Sequence, residues 1–325
     1  MTAVVDAPVN GPVRSYRSMI MNSARWDGYR PRRGDVIVAT YPKCGTTWTQ
    51  RIVSLLFHQS PAPRDIMGEA PWIDSTLFGP VGSMLATLEA QTQRRSMKTH
   101  LPLDGFPVFE GVKVIHTVRD GRDACFSMHN HQLGMRIENA MASVMAEATP
   151  ELLAAGGPPP PTPEDPHEWF LHWMDEAEGY DPATRFAQTP FCEFELTYWA
   201  RRHEAWLLHV NYADMKADLA GEMRRIADFL EIETPSGLMA ELVQAATFES
   251  MKRDGDALLP KIADHFDKGP ERFLNKGVNG RWKAFLTADD LARYDALVRS
   301  KLSPTHARWI EEGGRVAGDP RTLPD

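Results

Sequence analysis

Two short runs of β-branched and apolar residues interrupt an otherwise mixed chain, at residues 35–40 (Asp-Val-Ile-Val-Ala-Thr) and 111–118 (Gly-Val-Lys-Val-Ile-His-Thr-Val). Continuous apolar runs of this length, rich in Val and Ile, predict strands buried on both faces. Residues 49–58 then place Ile52, Val53, Leu55, Leu56 and Phe57 at helical rather than alternating spacing. A third strand is expected within residues 95–103, ended by Pro102, and a fourth within 205–212. Helices are expected at 83–93, in the later part of 119–129, in an amphipathic stretch through Phe229 and Leu230, and at 235–246. Thr287 followed three residues later by Asp290 marks a helix start, and that helix should run to about Leu302. Strand, polar turn and helix recur in that order. The pattern predicts an α/β fold, a central parallel sheet flanked by helices.

Between these elements the chain changes character. Residues 1–30 form a polar leader with Arg14, Arg17, Arg25 and Arg30, expected to wrap over the surface of the domain. Residues 61–83 mix Pro and Gly with Trp72 and Phe78 and read as an irregular loop. Residues 132–200 read as a helical insertion over the sheet, an acceptor-side cap rather than a second domain. It has a Met-rich stretch (Met135, Met141, Met145), a Gly/Pro loop at 156–161, and an aromatic helix with Trp169, Phe170, Trp173 and Met174. Residues 254–279 read as polar loop and 304–325 as a loosely held tail. Residues 1–325 are expected to form a single domain, without internal repeats.

Charge narrows the function classes. A net charge of -8 argues against a general nucleic-acid or anionic-membrane binder, so any anion site must be a local basic pocket. Three cysteines are too few for a disulfide framework and fit a reducing cytoplasm. No apolar run approaches the ~20 residues of a membrane span, and the first residues lack a signal-peptide core. A cytoplasmic enzyme is the expectation.

The chemistry concentrates at residues 41–48, Tyr-Pro-Lys-Cys-Gly-Thr-Thr-Trp, between the first strand and its helix. A helix start offers unpaired amides and the positive end of a dipole, which suits a phosphate. Lys43 adds a charge, Thr46 and Thr47 add hydroxyls, Gly45 permits the turn, and Cys44 is a small filler. The element is P-loop-like without being a Walker A sequence, because the Lys precedes the Gly and no Lys-Ser/Thr pair is present to position magnesium. In a parallel sheet ligands gather outside the carboxyl ends of the strands, where Lys43, His100 and Arg119 all fall.

This loop resembles the 5′-phosphosulfate loop of the sulfotransferases that use 3′-phosphoadenylyl sulfate (PAPS). Four further stretches resemble the cytosolic branch of that family, in its order. Residues 98–103, Lys-Thr-His-Leu-Pro-Leu, look like the segment whose His is the catalytic base, with Lys98 facing the sulfonate. Arg119 with Ser127 resembles the 3′-phosphate site. Residues 212–216, Tyr-Ala-Asp-Met-Lys, are similar to the segment whose Tyr touches adenine. Residues 276–283, with Lys276, Gly277, Gly280, Trp282 and Lys283, resemble the stretch that folds over the nucleotide. Thr247, Phe248 and Met251 look like an adenine-side element, and Trp48 would stack on the same ring. Two departures stand out: Asn275 replaces the usual Arg beside Lys276, and Arg281 replaces a usual acid.

The resemblance implies a PAPS-dependent sulfotransferase with a parallel-sheet domain. Adenosine 3′,5′-bisphosphate would be the product and no metal would take part. It implies His100 as general base, Lys43 on the leaving phosphate, and Lys98 and Ser127 in orientation and charge balance. Lys43, Cys44, Gly45, Thr46, Thr47, Trp48, Arg119, Ser127, Tyr212, Thr247, Phe248, Asn275, Lys276 and Gly277 would hold the nucleotide. His116, His129 and His131 lack carboxylate or Cys partners at ligand spacing, which argues against a metal site. The Met, Trp and Phe of the insertion are either core or acceptor lining, and point to a small or medium apolar acceptor with a free hydroxyl. Phenols, sterols and lipid-like alcohols fit. A P-loop-type kinase would need the missing Lys-Ser/Thr pair. A non-catalytic nucleotide-binding module is disfavoured by His100 and Lys43.

Overall fold

The computed structural model describes residues 8–155, 161–181 and 189–324, apart from the side chains at 140, 151, 152 and 155. Residues 156–160 of the expected Gly/Pro loop lie outside that description. Six strands occur among the described residues: β1 (Pro8–Asn10), β2 (Val36–Thr40), β3 (Ser96–Thr99), β4 (Val108–Phe109), β5 (Lys113–Val118) and β6 (Leu207–Asn211). The expected 95–103 strand is confined to Ser96–Thr99, and Tyr212 opens a helix instead of closing a strand.

Four strands make the central sheet in the order β3-β2-β5-β6, all parallel. Because side chains alternate across a strand, β2 and β5 feed two cores. Ile37, Ala39, Val114 and Val118 enter one, and Val36, Val38 and Ile115 the other. Both faces are covered by helices, which explains why these strands read as unbroken apolar runs. The helix Thr46–His58 buries Ile52, Val53, Leu55 and Leu56 against the second core. At the opposite end of the strands Arg95 donates to both oxygens of Asp35, at 2.9 and 2.5 Å, in a pair shielded from water.

The capping box at Thr287 and Asp290 is present, and its helix spans Ala288–Lys301. Three expectations need correction. Residues 255–273 hold short helices, including Gly255–Leu258 and Gly269–Phe273, with Pro260 between them, while 275–279 are irregular as expected. They bury Leu258, Leu259, Ile262, Phe266 and Leu274 together, a pattern too short in period to register as helix.

Residues 304–325 are not a loose tail. The helix Pro304–Glu312 buries Trp309 and Ile310, and Asn211 donates to both their carbonyls at 2.9 and 3.1 Å. The leader, too, is more than a surface wrap. Trp26 and Tyr29 pack in the main core, and buried Arg25 donates to the Ile73 carbonyl at 2.8 Å and pairs with Glu147.

Candidate active site

From β2 the chain crosses outward to β3 on one side and then returns to β5 on the other. Such a reversal opens a crevice above the carboxyl ends of β2 and β5. The register aligns those ends: Ala39 pairs with Thr99, Thr40 with Thr117, and Val118 with Asn211. The residues that follow therefore meet at one rim: Lys43 after β2, His100 after β3, Arg119 after β5 and Tyr212 after β6.

The turn after β2 is built for an anion. Gly45 has φ 107°, and a Cβ there would meet the Tyr212 ring at 3.0 Å and the Thr117 methyl at 3.4 Å, so glycine is required. The first internal bond of the helix runs from the Thr49 amide to the Gly45 carbonyl at 3.0 Å. The amides of Thr46, Thr47 and Trp48 thus precede any helical partner, and Gly45 provides no side-chain cap. The Thr46 hydroxyl lies 2.6 Å from that of Thr40, tying loop to strand. Cys44 is fully buried, and burial pushes its thiol well above the usual range, so it stays neutral.

Three titratable side chains converge beside this cradle. Lys43, at φ 72°, lies over the Phe273 ring at 5.0 Å and within 3.1 Å of His131 Nδ1. Burial, with Lys98 and Arg119 nearby, lowers its pKa to about 7. Lys98 lies over the Trp72 ring at 4.8 Å; burial lowers it to about 8. His100 stands edge-on to Trp72 at 4.7 Å, and its Nδ1 is 2.8 Å from the Thr40 carbonyl. A carbonyl only accepts, so Nδ1 carries the proton and Nε2 keeps its lone pair. Burial, then Lys98, holds the His100 pKa near 3.

Sequence reasoning missed an acid that supports two members of this trio, His100 and Lys98. Asp74, fully buried, accepts from Trp72 Nε1 at 2.7 Å, Trp26 Nε1 at 3.3 Å and the His100 amide at 3.3 Å. It also opposes the loss of charge on Lys98. An acid set between aromatic residues in a Pro/Gly loop was the available signal.

The nucleotide-side residues form a second group. Arg119 lies over the Tyr212 ring at 4.4 Å, and Tyr212 meets Trp48 at 5.3 Å. The Trp48 Nε1 donates to the Ala246 carbonyl at 2.7 Å. Arg119 reaches across to the Val278 carbonyl at 2.7 Å and Asn279 Oδ1 at 3.2 Å. Asp123 accepts from the amides of Gly280 at 2.9 Å and Arg281 at 3.2 Å, so residues 276–281 lie over the rim. Gly277, at φ 61°, sits so close to Phe248 that a Cβ would approach the ring to 2.7 Å. Arg281 is depressed by burial and by Arg119, which places two guanidinium groups near each other.

Not every expected residue joins these groups. Thr247 caps the helix Phe248–Arg253, accepting from the Ser250 amide at 3.3 Å. Asn275 is half-buried and Lys276 exposed. Ser127 is half-buried on the helix Gly121–Gly134, one turn before His131. Trp169 donates to the Cys125 carbonyl at 3.0 Å and Trp173 to the Tyr41 hydroxyl at 3.3 Å, while Phe170 and Met174 are core. The pocket beside His100 is lined by Tyr16, Arg17 and Met21 of the leader, with Tyr41, Leu101 and, from the expected insertion, Phe194. His116 faces Glu195 at 2.9 Å and His129 the Pro163 carbonyl at 2.7 Å.

A family model described as sulfotransferase domain matches residues 33–306. The chain belongs to the sulfotransferase family. A glycolipid sulfotransferase of Mycobacterium bovis is 34% identical over 315 residues, covering 92% of this chain and 94% of that protein. Sulfotransferase 1B1 of mouse is 27% identical over 295 residues, covering 88% of each. Among solved structures, mouse sulfotransferase SULT7A1 complexed with PAP superposes with a TM-score of 0.65 at 19% identity, covering 89% of this sulfotransferase and 91% of that chain. That likeness confirms the α/β fold. Among the described residues of the sulfotransferase, no helix is long and apolar enough to cross a membrane.

Proposed function

We propose that this sulfotransferase moves the sulfonate of PAPS to the hydroxyl of an apolar acceptor, with His100 as general base. The observation that carries the reading is the meeting of Lys43, Lys98 and His100 at aligned strand ends, with His100 Nε2 left free to accept a proton.

The residues present fit the nucleotide. The open helix start after Gly45 suits the 5′-phosphosulfate, and Trp48, Tyr212 and Phe248 offer faces for the adenine. Arg119 and Arg281 supply paired cations for the 3′-phosphate, so Arg281 compensates for Asn275. When bound, PAPS supplies the sulfonate: its sulfur–phosphate oxygen bond breaks as the bond to the acceptor oxygen forms.

His100 takes the acceptor proton at Nε2. Lys43 balances the charge that grows on the leaving phosphate, and Lys98 the charge on the sulfonate oxygens. Their own positive charge depresses His100, so an anion seated between them strengthens the base where it is needed.

Tyr16, Met21, Leu101 and Phe194 give His100 apolar surroundings, and the relatives named as glycolipid sulfotransferases support a lipid-like alcohol. The cytoplasm, which keeps the buried thiols of Cys44, Cys125 and Cys192 reduced, is the compartment that suits it.

Labelled PAPS offered with phenols, sterols, glycolipids and heparan-type sugars tests the reading. Sulfation of an apolar alcohol with release of adenosine 3′,5′-bisphosphate is expected. Higher kcat/KM on heparan-type sugars than on every apolar alcohol overturns the acceptor class. Loss of no activity in His100→Ala overturns the base.

A further inference from the structure

Lys43 and His131 come from different elements, and neither position explains the other by local sequence. Lys43 sits in the turn after β2; His131 lies near the end of the helix Gly121–Gly134. Yet Lys43 Nζ is 3.1 Å from His131 Nδ1. One proton must lie between the two nitrogens. The surroundings decide which keeps it: burial first, then the charges of Lys43 and Lys98, disfavour a charged His131. His131 is therefore neutral and accepts, with its own proton on Nε2, and the ammonium donates.

The imidazole is held from behind. Its ring packs on Phe266 at 4.5 Å and Phe273 at 5.7 Å. The helix end that carries it is fastened to the same segment, with the Asp267 amide on the Gly134 carbonyl at 2.9 Å and the Arg136 amide on the His265 carbonyl at 2.8 Å. The nearby charged side chain of that segment, Arg272, is turned to Asp267 and Asn130 and does not face the pair. Lys98, His100 and Arg119 face it from the strand ends, and Cys44 from the loop. Ser127 lies one turn before His131 on the same helix face.

We propose that His131 is a positioning residue for the reaction: its Nδ1 fixes the Lys43 ammonium by one of its three donors and leaves the other two for the phosphosulfate. This rests on the assignment of Lys43 to the leaving phosphate. A long lysine stem has many rotamers, and a fixed acceptor removes that freedom before the reaction begins. The preference for His over an apolar residue at this site follows: a ring of similar size without Nδ1 fills the same space and holds nothing.

The test compares His131→Phe with His131→Gln in the full chain. Phe keeps the ring packing on Phe266 and Phe273; Gln keeps an acceptor. Turnover of the best acceptor is expected to fall about 10- to 100-fold in the Phe variant, the worth of a hydrogen bond to a charged group. Acceptor KM should stay within about threefold, and Gln should restore most of the loss. A second readout needs no turnover. Amine-directed labelling of Lys43, followed by mass spectrometry across pH 6–9, should show its midpoint shifted downward in the Phe variant and near wild type in the Gln variant. Unshifted labelling in His131→Phe overturns the inference, as does equal loss in both variants. Absence of sulfonate transfer by the wild-type chain overturns the assignment of function instead, and leaves the labelling result to judge the contact.

Discussion

His100 Nδ1 lies 2.8 Å from the Thr40 carbonyl, so a strand end fixes the tautomer of the imidazole it faces. Two adjacent strands thus cooperate, β3 supplying the ring and β2 its orientation. His100→Ala should lower turnover roughly 10²–10⁴-fold, the usual worth of a general base. Affinity for adenosine 3′,5′-bisphosphate should barely change, because the ring lines the pocket with Tyr16, Leu101 and Phe194, apart from the nucleotide-side residues. Nitrogen NMR of the wild type should show the proton on Nδ1 down to about pH 5, since the pKa lies near 3. A ring that becomes doubly protonated near pH 6.5 contradicts the burial argument.

Arg119 and Arg281 should divide the 3′-phosphate between them. Either one replaced by Ala should weaken the 3′,5′-bisphosphate about 10- to 100-fold more than adenosine 5′-phosphate. Calorimetry on both ligands reads the difference directly. Asn275→Arg should bring little gain if Arg281 already fills the role. Equal losses for the two ligands in Arg119→Ala would mean that the arginine serves the Val278 and Asn279 contacts alone.

Nucleotide binding should take up protons. Lys43 titrates near 7 and Lys98 near 8 because burial disfavours their charged forms. A seated anion favours those forms and raises both values, so between about pH 7 and pH 9 the complex holds more protons than the free enzyme. Affinity for the bisphosphate should fall as pH rises through this window. Titration at pH 8 in buffers of different ionisation heat measures the uptake, and a value of zero excludes the mechanism.

The C-terminal helix should behave as core. Trp309 is 1% exposed and packs beside Trp199, with ring centroids 5.8 Å apart. Trp309→Ala should cost about 3–5 kcal/mol in urea unfolding, as for other buried tryptophans. A loss under about 1 kcal/mol would restore the picture of a loose tail.

Sequence periodicity found β2 and β5 because both faces of these strands are covered, and the phosphate loop because strand, Gly and helix start adjoin in the chain. It found the Thr287 helix because its cap is local. It failed where partners are distant. Trp309 has ordinary neighbours in sequence, and only the docking of its helix on Asn211 makes it core. Tyr16 and Met21 line the pocket beside His100 because the leader folds back across about 80 residues, a closure no local pattern records. For His131 the sequence argues only against a metal site, because its histidine neighbours are visible there and its lysine partner is not. Residues 254–279 read as polar because their buried positions fall in helices of one turn or two.

Asp123 has a consequence for the timing of the cycle. Its carboxylate holds the Gly280 and Arg281 amides, and Arg119, one turn away, holds the Val278 carbonyl. A nucleotide that claims Arg119 must loosen one fastening of the flap while Asp123 retains the other. Residues 278–281 would then be held by that carboxylate, which predicts that it governs the residence time of the spent bisphosphate. Asp123→Asn should quicken product exchange more than it alters the chemistry, making this fastening, rather than the base, the clock of the enzyme.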